Sequence, residues 1–353
     1  MAEYCDLDVS RFGATGDGET DDTAAIQAAI DAAGEVQGTL LFPPGTYCCS
    51  TLRLHSQVGL FAHPAWTYRG FGGAVLKLID DRARCLIDMT GAVGCTLNGL
   101  SISGAGRIGE AIHGVMVDKP DYGKQEDNPR IERCRIGEFS GDSVHLNRIW
   151  CFSVRHCMLS WGDGNGLWVR GWDGFILDNW FSGHRGAGYA AYEESAAVTM
   201  TGNRVEWNGA GGIVVHNGTH YNICNNYIDR SGGPGICVLP GGDYWGKGFS
   251  VTGNLINRSG KPNTKPDECR SAQMHFERCR GLTVTGNTMT VGRDDGNKGD
   301  WSPDEGIVYG ALKNSVITGN AMEDGALKEL MVDLGGHGEG VVVRDNPGCL
   351  FTP

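Results

Sequence analysis

The sequence predicts an all-β fold, a parallel β-solenoid made by one chain and capped at its N-terminal end by a helix. Three observations carry this reading: a short strand pattern that recurs about every 23 residues, an Asn at a fixed place in that pattern, and 56 Gly among 353 residues. About one residue in six is Gly, more than twice the usual share. No G-X-Y period is present, which excludes a collagen. With 40% hydrophobic residues and 9 Trp, the chain is not a disordered linker. Abundant Gly in an ordered apolar chain signals frequent tight turns.

Taken in chain order, the first element is a helix over residues 24–33. Ile26 and Ile30 stand four apart, and Asp21, Asp22 or Thr23 can cap it. A solenoid exposes its first turn, and an amphipathic helix covers it. Next comes the repeating strand that ends in Asn, as in Val251-Thr-Gly-Asn254. Its Asn residues are Asn179, Asn203, Asn226, Asn254, Asn287, Asn320 and Asn346, and Cys134 and Cys157 take the same slot upstream. A buried Asn at one corner of every turn can bond its counterparts above and below, so this ladder is read as structural. A second strand family interleaves with it, over residues 143–147, 166–170, 188–192, 212–216, 235–239, 273–277, 306–310 and 329–333. Its apolar residues alternate, as in a strand with one buried face. Gly-rich turns precede these strands, at 162–166, 183–188, 208–212 and 231–235, where Gly is expected to supply positive φ. A leucine-rich repeat lacks its consensus here, and a propeller needs a longer period.

The run Phe12-Gly-Ala-x-Gly-Asp-Gly-x-x-Asp-Asp-Thr-x-Ala-Ile-Gln-x-Ala-Ile, followed by Gly38-Thr-Leu-Leu-Phe-Pro-Pro-Gly-Thr-Tyr47, resembles the opening of the pectate-lyase superfamily. The resemblance implies a right-handed parallel β-helix, with residues 8–47 as cap and first strands and about 90–348 as regular turns of one domain spanning 1–353. That superfamily includes lyases, rhamnogalacturonases, mannuronan epimerases and phage tailspikes. In it the opening motif is a cap, so Asp17, Asp21 and Asp22 are expected to be structural. Its activity motifs are largely missing. Gly336-His337-Gly338 lacks the Asp pair of polygalacturonases, and the Tyr-Gly-Phe-Asp-Pro-His signature of alginate epimerases is absent.

A formal charge of −12 argues against nucleic acid or anionic membranes as partners, and against a strongly anionic polysaccharide unless a cation or basic patch intervenes. No stretch of 18 apolar residues is present, and the first residues show no signal core, so the chain is expected in the cytoplasm. The 13 Cys form no C-x-x-C pair and are read as reduced, buried thiols.

Period-two alternation places two rows on the outward face of the second strand family. One holds His145, Trp168, Ala190, Val214, Cys237, His275, Val308 and Met331. The other holds Asn147, Arg170, Tyr192, His216, Leu239, Glu277, Gly310 and Asp333. Trp172, Glu193 and Glu194 follow just beyond strand ends. Flat aromatics stack on sugars, and carboxylates and guanidinium groups bond hydroxyls, so this face reads as a saccharide groove for an oligo- or polysaccharide. Insertions at 240–248, 258–271 and 291–304 flank the turn carrying His275 and Glu277. They bring Asp243, Trp245, Asp267, Glu268, Asp294, Asp295, Trp301 and Asp304, with Glu305 just beyond. Glu277 is therefore the leading catalytic carboxylate, with Glu305, Asp304 or Asp243 as its partner. His145, His216 and His275 are candidate acid–base groups. The expected reaction is glycosidic cleavage or rearrangement by two carboxylates. The alternatives are a β-eliminating lyase, for which Arg148, Arg170 and Arg278 could neutralise a uronate, and a non-catalytic saccharide-binding solenoid. No cofactor is expected. The acidic stretch 294–300 resembles part of a Ca²⁺ loop but lacks its bidentate acid. A homotrimer is compatible with the fold.

Overall fold

In a computed structural model, residues 7–261, 270–292 and 299–352 are described. The chain divides into two compact units, Met1–Phe175 and Ile176–Pro353. Each is an all-parallel coil with three strands per turn. Among the described residues no helix is long and apolar enough to cross a membrane.

In the first unit the helix Thr23–Val36 buries Ile26, Ala29, Ile30 and Ala33, the stripe its spacing implied. The acidic motif before it is structural. Asp22 is 1% exposed and accepts the backbone N–H groups of Thr15 at 2.7 Å and Gly16 at 3.0 Å. Asp21 accepts from the Thr23 N–H at 2.9 Å, and Asp17 binds the N–H groups of Glu19 and Thr20. One ladder of this unit stacks Gly45–Cys49, Ala74–Leu78, Ser101–Ser103, Arg135–Gly137 and Met158–Ser160. Another stacks Leu52–Arg53, Cys85–Asp88, His113–Asp118 and the start of Val144–Arg155. A third runs from Leu7–Asp8 to Thr39–Leu41, Gly59–Phe61, Thr96–Asn98, Arg130–Glu132 and the end of Val144–Arg155.

In the second unit the predicted Asn ladder is complete. Asn179, Asn203, Asn226, Asn254, Asn287 and Asn320 each donate from backbone N and from Nδ2 to the Oδ1 of the next Asn, at 2.8–3.2 Å. Each Nδ2 from Asn203 onward also reaches a backbone carbonyl of the preceding turn, as Asn254 does to Ile223 at 3.0 Å. The residue before each Asn sits in the left-handed region. Gly202, Gly253, Gly286 and Gly319 hold φ of +65 to +70°, and Asp178, Asn225 and Asp345 hold the slot elsewhere. Gly, Asn and Asp are the residues that tolerate this conformation.

The Gly-rich turns differ from expectation. Among their glycines only Gly183 has positive φ. The others are small because turns stack backbone on backbone. A Cβ on Gly232 would lie 1.9 Å from the Gly209 carbonyl oxygen, and one on Gly233 1.8 Å from that of Ala210. At Gly286, by contrast, a Cβ would meet only the Gly253 backbone N in ordinary contact at 3.9 Å, so the φ of +65° is what favours Gly. Gly286→Ala is expected to cost about 1 kcal/mol. Gly232→Ala forces backbone apart and is expected to cost at least about 3 kcal/mol, by the overpacking mechanism. Urea unfolding of both variants checks the difference.

Of the described cysteines, Cys134 and Cys157 are buried thiols that donate to the carbonyls of Glu132 and Arg155, filling the corner that Asn fills in the second unit. Cys224 is only half-buried.

Candidate active site

The first unit builds a compact titratable cluster on the strands His113–Asp118 and Val144–Arg155. These pair with Met116 opposite His145 and Asp118 opposite Asn147. Val144 and Leu146 point into the core at 0% exposure, which turns His145 and Asn147 outward. Just before the strand, Asp142 is 6% exposed. Its Oδ2 accepts from His145 Nδ1 at 2.8 Å, and its Oδ1 accepts the backbone and side-chain N–H groups of Asn165 at 2.7 and 2.9 Å. The Asp142 backbone N–H in turn donates to His113 Nδ1 at 3.0 Å. These bonds assign the tautomers: His113 carries its proton on Nε2, and His145 carries one on Nδ1. The Nε2 of His145 has no hydrogen-bond partner among the described residues.

The His145 ring is held between two others. His113 stacks on it with centroids 4.3 Å apart, and Trp168 lies on the other side at 4.3 Å and 3°. Glycine permits this crowding. A Cβ on Gly164, in the Gly-rich turn of the next strand, would lie 2.7 Å from Asp142 Oδ1, and one on Gly141 2.8 Å from His113 Nδ1. Burial pushes the His113 imidazole down to about 4. For Asp142 burial works toward the neutral acid. The His145 hydrogen bond, the His113 ring and the Asn165 N–H together outweigh it and hold the carboxyl below its usual range. The result is an ionised carboxylate fixing an imidazole whose second nitrogen can take or give a proton.

The shifted pKa of His113 makes a stability prediction. A native-state pKa near 4 against an unfolded value near 6.5 means that the unfolded chain binds the extra proton first as pH falls. Stability is then lost as pH drops from about 6.5 toward 4, by about 3 kcal/mol in total. Asp142, with a lowered pKa, contributes only below that window. Urea unfolding at pH 7 and pH 4.5 should show this loss in the wild type and much less of it in His113→Asn.

Polar and aromatic groups extend the cluster along the same strands. Asn147 donates to Asp118 Oδ1 at 2.8 Å, and Arg84 bonds Asp118 Oδ2 at 2.5 Å. The Asn147 bond, then Arg84, keeps Asp118 ionised. Arg148 donates to the Lys119 carbonyl at 2.8 Å, and Lys119 is buried against Asp127 at 2.7 Å. Trp172 stacks on Tyr122 at 3.9 Å and 10°. Trp168, Arg170 and Trp172, expected from the sequence as saccharide contacts, are all half-buried.

Ligand atoms of His113, Asp142 and His145 lie within 4.8 Å of one another, a spacing that a metal could use. Two of the three already spend acceptor atoms on hydrogen bonds, however. His113 Nδ1 accepts an amide N–H, and both Asp142 oxygens accept hydrogen bonds. The cluster therefore reads as a hydrogen-bonded relay and not a cation cage.

The second unit does not assemble the expected carboxylate pair. Glu305 pairs laterally with Ala272, while Glu277 stands five residues further on, opposite Gly310. Five residues of strand separate them by about 16 Å, beyond the roughly 5–10 Å that either glycosidase geometry uses. Asp304 lies at the Glu305 end. Each acid is also engaged: Glu305 with Arg270, Asp304 with Lys328 at 2.9 Å, and Glu277 with His275 Nε2 at 2.7 Å. The His275 bond lowers the Glu277 pKa, so Glu277 is a poor general acid.

The first outward row is not open either. Ala190, Cys237 and Val308 are 0% exposed, His275 2% and Val214 5%. The apolar members form a second buried layer, and Val308 clusters with Ala272 and Val332. The last strand is shifted by one residue from the sequence reading. Val332, not Met331, pairs with Val308, and Asp333 pairs with Tyr309, outside the Glu277 row. Asp333 instead bonds His337 Nε2 at 2.7 Å, which gives Gly336-His337-Gly338 a local role. Tyr192 meets His216 edge-on at 5.3 Å, Trp301 meets Trp207 at 5.7 Å, and Trp245 is half-buried. Asp243, Glu193 and Glu194 are exposed. Asp267, Glu268, Asp294 and Asp295, with most of the 294–300 stretch, lie outside the described residues.

Sequence reasoning named His145 and Trp168 but missed His113, Asp142, Asn165, Asp118 and Tyr122. The Asp142-x-x-His145 spacing was visible. His113 was not, because it lies 29 residues from Asp142, off the 22–23 residue period.

Comparison with known proteins gives a family. A family model described as "Right handed beta helix region" matches residues 85–256 and 192–352, and "Rhamnogalacturonase A/epimerase, pectate lyase-like" matches 7–66. Mannuronan C5-epimerase AlgE5 of Azotobacter vinelandii is 28% identical over 281 residues, 69% of this chain and 25% of that protein. The chain therefore spans about a quarter of this relative's length. The A-module of mannuronan C-5 epimerase AlgE4 of the same organism superposes with a TM-score of 0.70 at 18% identity, covering 98% of this chain and 100% of that one. DFA-IIIase from Arthrobacter chlorophenolicus A6 superposes with a TM-score of 0.63 at 14% identity, covering 96% and 86%.

Proposed function

Since the chain belongs to the right-handed β-helix family, in the pectate-lyase-like superfamily, we propose that it acts on a uronate-containing polysaccharide by removing the proton at C5, with His145 as the base. The observation that carries this reading is the His145 imidazole, its Nδ1–H fixed by ionised Asp142 and its Nε2 left for substrate. The C5 proton of a uronate lies α to a carboxylate, so its removal is made easier when that carboxylate is neutralised by cations. Arg148 and Arg170 stand on the strands around His145 and Arg84 just before the strand Cys85–Asp88, and a local basic surface is what an acidic protein needs to accept an acidic polymer. Trp168 and Trp172 offer apolar faces to the sugar rings. Delivery of a solvent-derived proton to the opposite face of C5, with His145 later releasing its own proton to water, gives the epimer; departure of the 4-linked oxygen, which takes up a proton as it leaves, gives β-elimination.

The names of the epimerase relatives agree with this chemistry. Glycosidic hydrolysis by Glu277 and Glu305, the first expectation from sequence, loses support because the two carboxylates are not juxtaposed. The test is incubation with polymannuronate and polygalacturonate in D₂O. NMR reads deuterium at C5, and ultraviolet absorbance reads unsaturated ends. Deuterium incorporation supports the proposal, with or without chain cleavage. Reducing ends released without either signal would return the reading to hydrolysis, and binding without turnover would make the chain a saccharide-binding solenoid.

A further inference from the structure

A second cationic feature lies elsewhere in the first unit and shares no residue with the His145 cluster. Arg135, on the strand Arg135–Gly137, is 1% exposed and heads the largest fully buried side chains. A segment before the strand Ala74–Leu78 folds over it. Arg135 Nη1 donates to the carbonyls of Thr67 at 2.8 Å and Tyr68 at 2.6 Å, and its guanidinium lies 4.4 Å from the Phe71 ring centroid. That segment is pinned at both sides. Ser101 Oγ donates to the Gly72 carbonyl at 2.8 Å, and Trp66 Nε1 donates to the Arg133 carbonyl at 2.6 Å.

Among the described residues Arg135 makes no direct ion pair, although the Glu138 carboxylate lines the cavity that Arg135 borders. Its Nε is buried and has no hydrogen-bond partner, and among the described residues neither Arg135 nor Arg69 forms a salt bridge. A buried cation without a directly bonded anion is costly, so a site of this kind is stabilised when an anion binds to it. Arg135 borders a cavity of about 450 Å³ whose other lining residues are Arg69, Gly106, Arg107, Glu138 and Trp161. Arg107 is fixed by Nε donating to the Trp161 carbonyl at 3.0 Å and by an Nη1 contact of 3.4 Å with Asp163. Three guanidinium groups face the Glu138 carboxylate and the Asp163 carboxylate that contacts Arg107, a local excess of positive charge in a chain of net charge −12.

We propose that this cavity is a binding site for a carboxylate-bearing sugar, separate from the proposed catalytic cluster. Guanidinium forks match a carboxylate in two parallel hydrogen bonds, and Trp161 supplies an apolar wall for a sugar ring. The volume suits one or two sugar units. The carboxylate comes either from a residue of an acidic glycan or from a free sugar acid.

Isothermal titration calorimetry of the full chain with potassium glucuronate, with a mannuronate tetrasaccharide and with glucose tests this. Saturable binding of either carboxylate but not of glucose is expected. Tetrasaccharide binding that Arg69→Ala or Arg107→Ala weakens identifies a glycan site here, distinct from the groove at His145, and glucuronate binding weakened by the same variants identifies a site for free sugar acids. Arg69→Ala and Arg107→Ala change exposed side chains and leave the strand core intact; each should weaken binding at least tenfold. C5–H exchange on a uronate polymer, measured on the same two arginine variants, reads the proposed catalysis separately and should be unchanged, so failure here and failure of that reading are distinguishable. No saturable binding, equal binding of glucose, or arginine variants that bind as the wild type does would overturn the proposal.

Discussion

His145→Ala is expected to lower the rate of C5–H exchange on a uronate polymer by at least about 100-fold, the usual contribution of a positioned general base. Folding should survive, because the side chain is half-buried and its removal leaves Asp142 with the Asn165 N–H groups. Asp142→Asn should come close to the same loss by another route. An amide in place of the carboxylate no longer favours the Nδ1–H tautomer, and the proton moves to Nε2, where the base must be free. KM should change less than kcat in both variants, since neither group is the main source of saccharide contact. Trp168→Ala should weaken binding and turnover together, because the ring both supports His145 and faces the groove. Exchange measured by NMR across these three variants checks the pattern. Full activity in His145→Ala would place the base elsewhere on the chain.

Asn254→Ala is expected to lower stability by about 3–5 kcal/mol. Asn254 is 1% exposed and stands mid-ladder. Its Oδ1 accepts from both the backbone N and Nδ2 of Asn226, at 3.0 and 2.9 Å, and its own Nδ2 donates to the Ile223 carbonyl. Alanine would leave two buried donors and a carbonyl without partners, each costing about 1–3 kcal/mol and not fully additive. Asn346→Ala, at the half-buried end of the ladder, orphans the Asn320 donors where water can reach and should cost less than half as much. Urea unfolding of the two variants measures the ratio. Equal losses would mean that the ladder does not act through burial.

The same contrast explains which features were legible before the structure. Asn179 to Asn346 could be read because each partner sits one period away and the pattern repeats seven times. Errors at one turn do not obscure such a signal. The capping helix was legible through Ile26 and Ile30, and the roles of Asp17, Asp21 and Asp22 through a motif whose bonds are local. The Gly-rich turns were located correctly but explained wrongly at positions such as Gly232, where inter-turn contact and not φ excludes a side chain. Contact between turns has no signature within a turn. The Glu277–Glu305 pairing failed for a related reason. Adjacent turns bring side chains to about 5 Å only at equal register, and the inserted residues before each strand hide the register.

By itself the sequence determined the coil, its corners and its cap, because those depend on interactions that recur at one spacing or close within a few residues. The tertiary structure alone decided which outward residues meet and which are open. It drew His113 onto His145 and Asp142 across a turn lengthened to 29 residues, and it buried Val214, Cys237 and Val308 in a second apolar layer. Both outcomes follow from strand register and from what packs over a face, and neither is encoded in the period-two alternation that identifies the face.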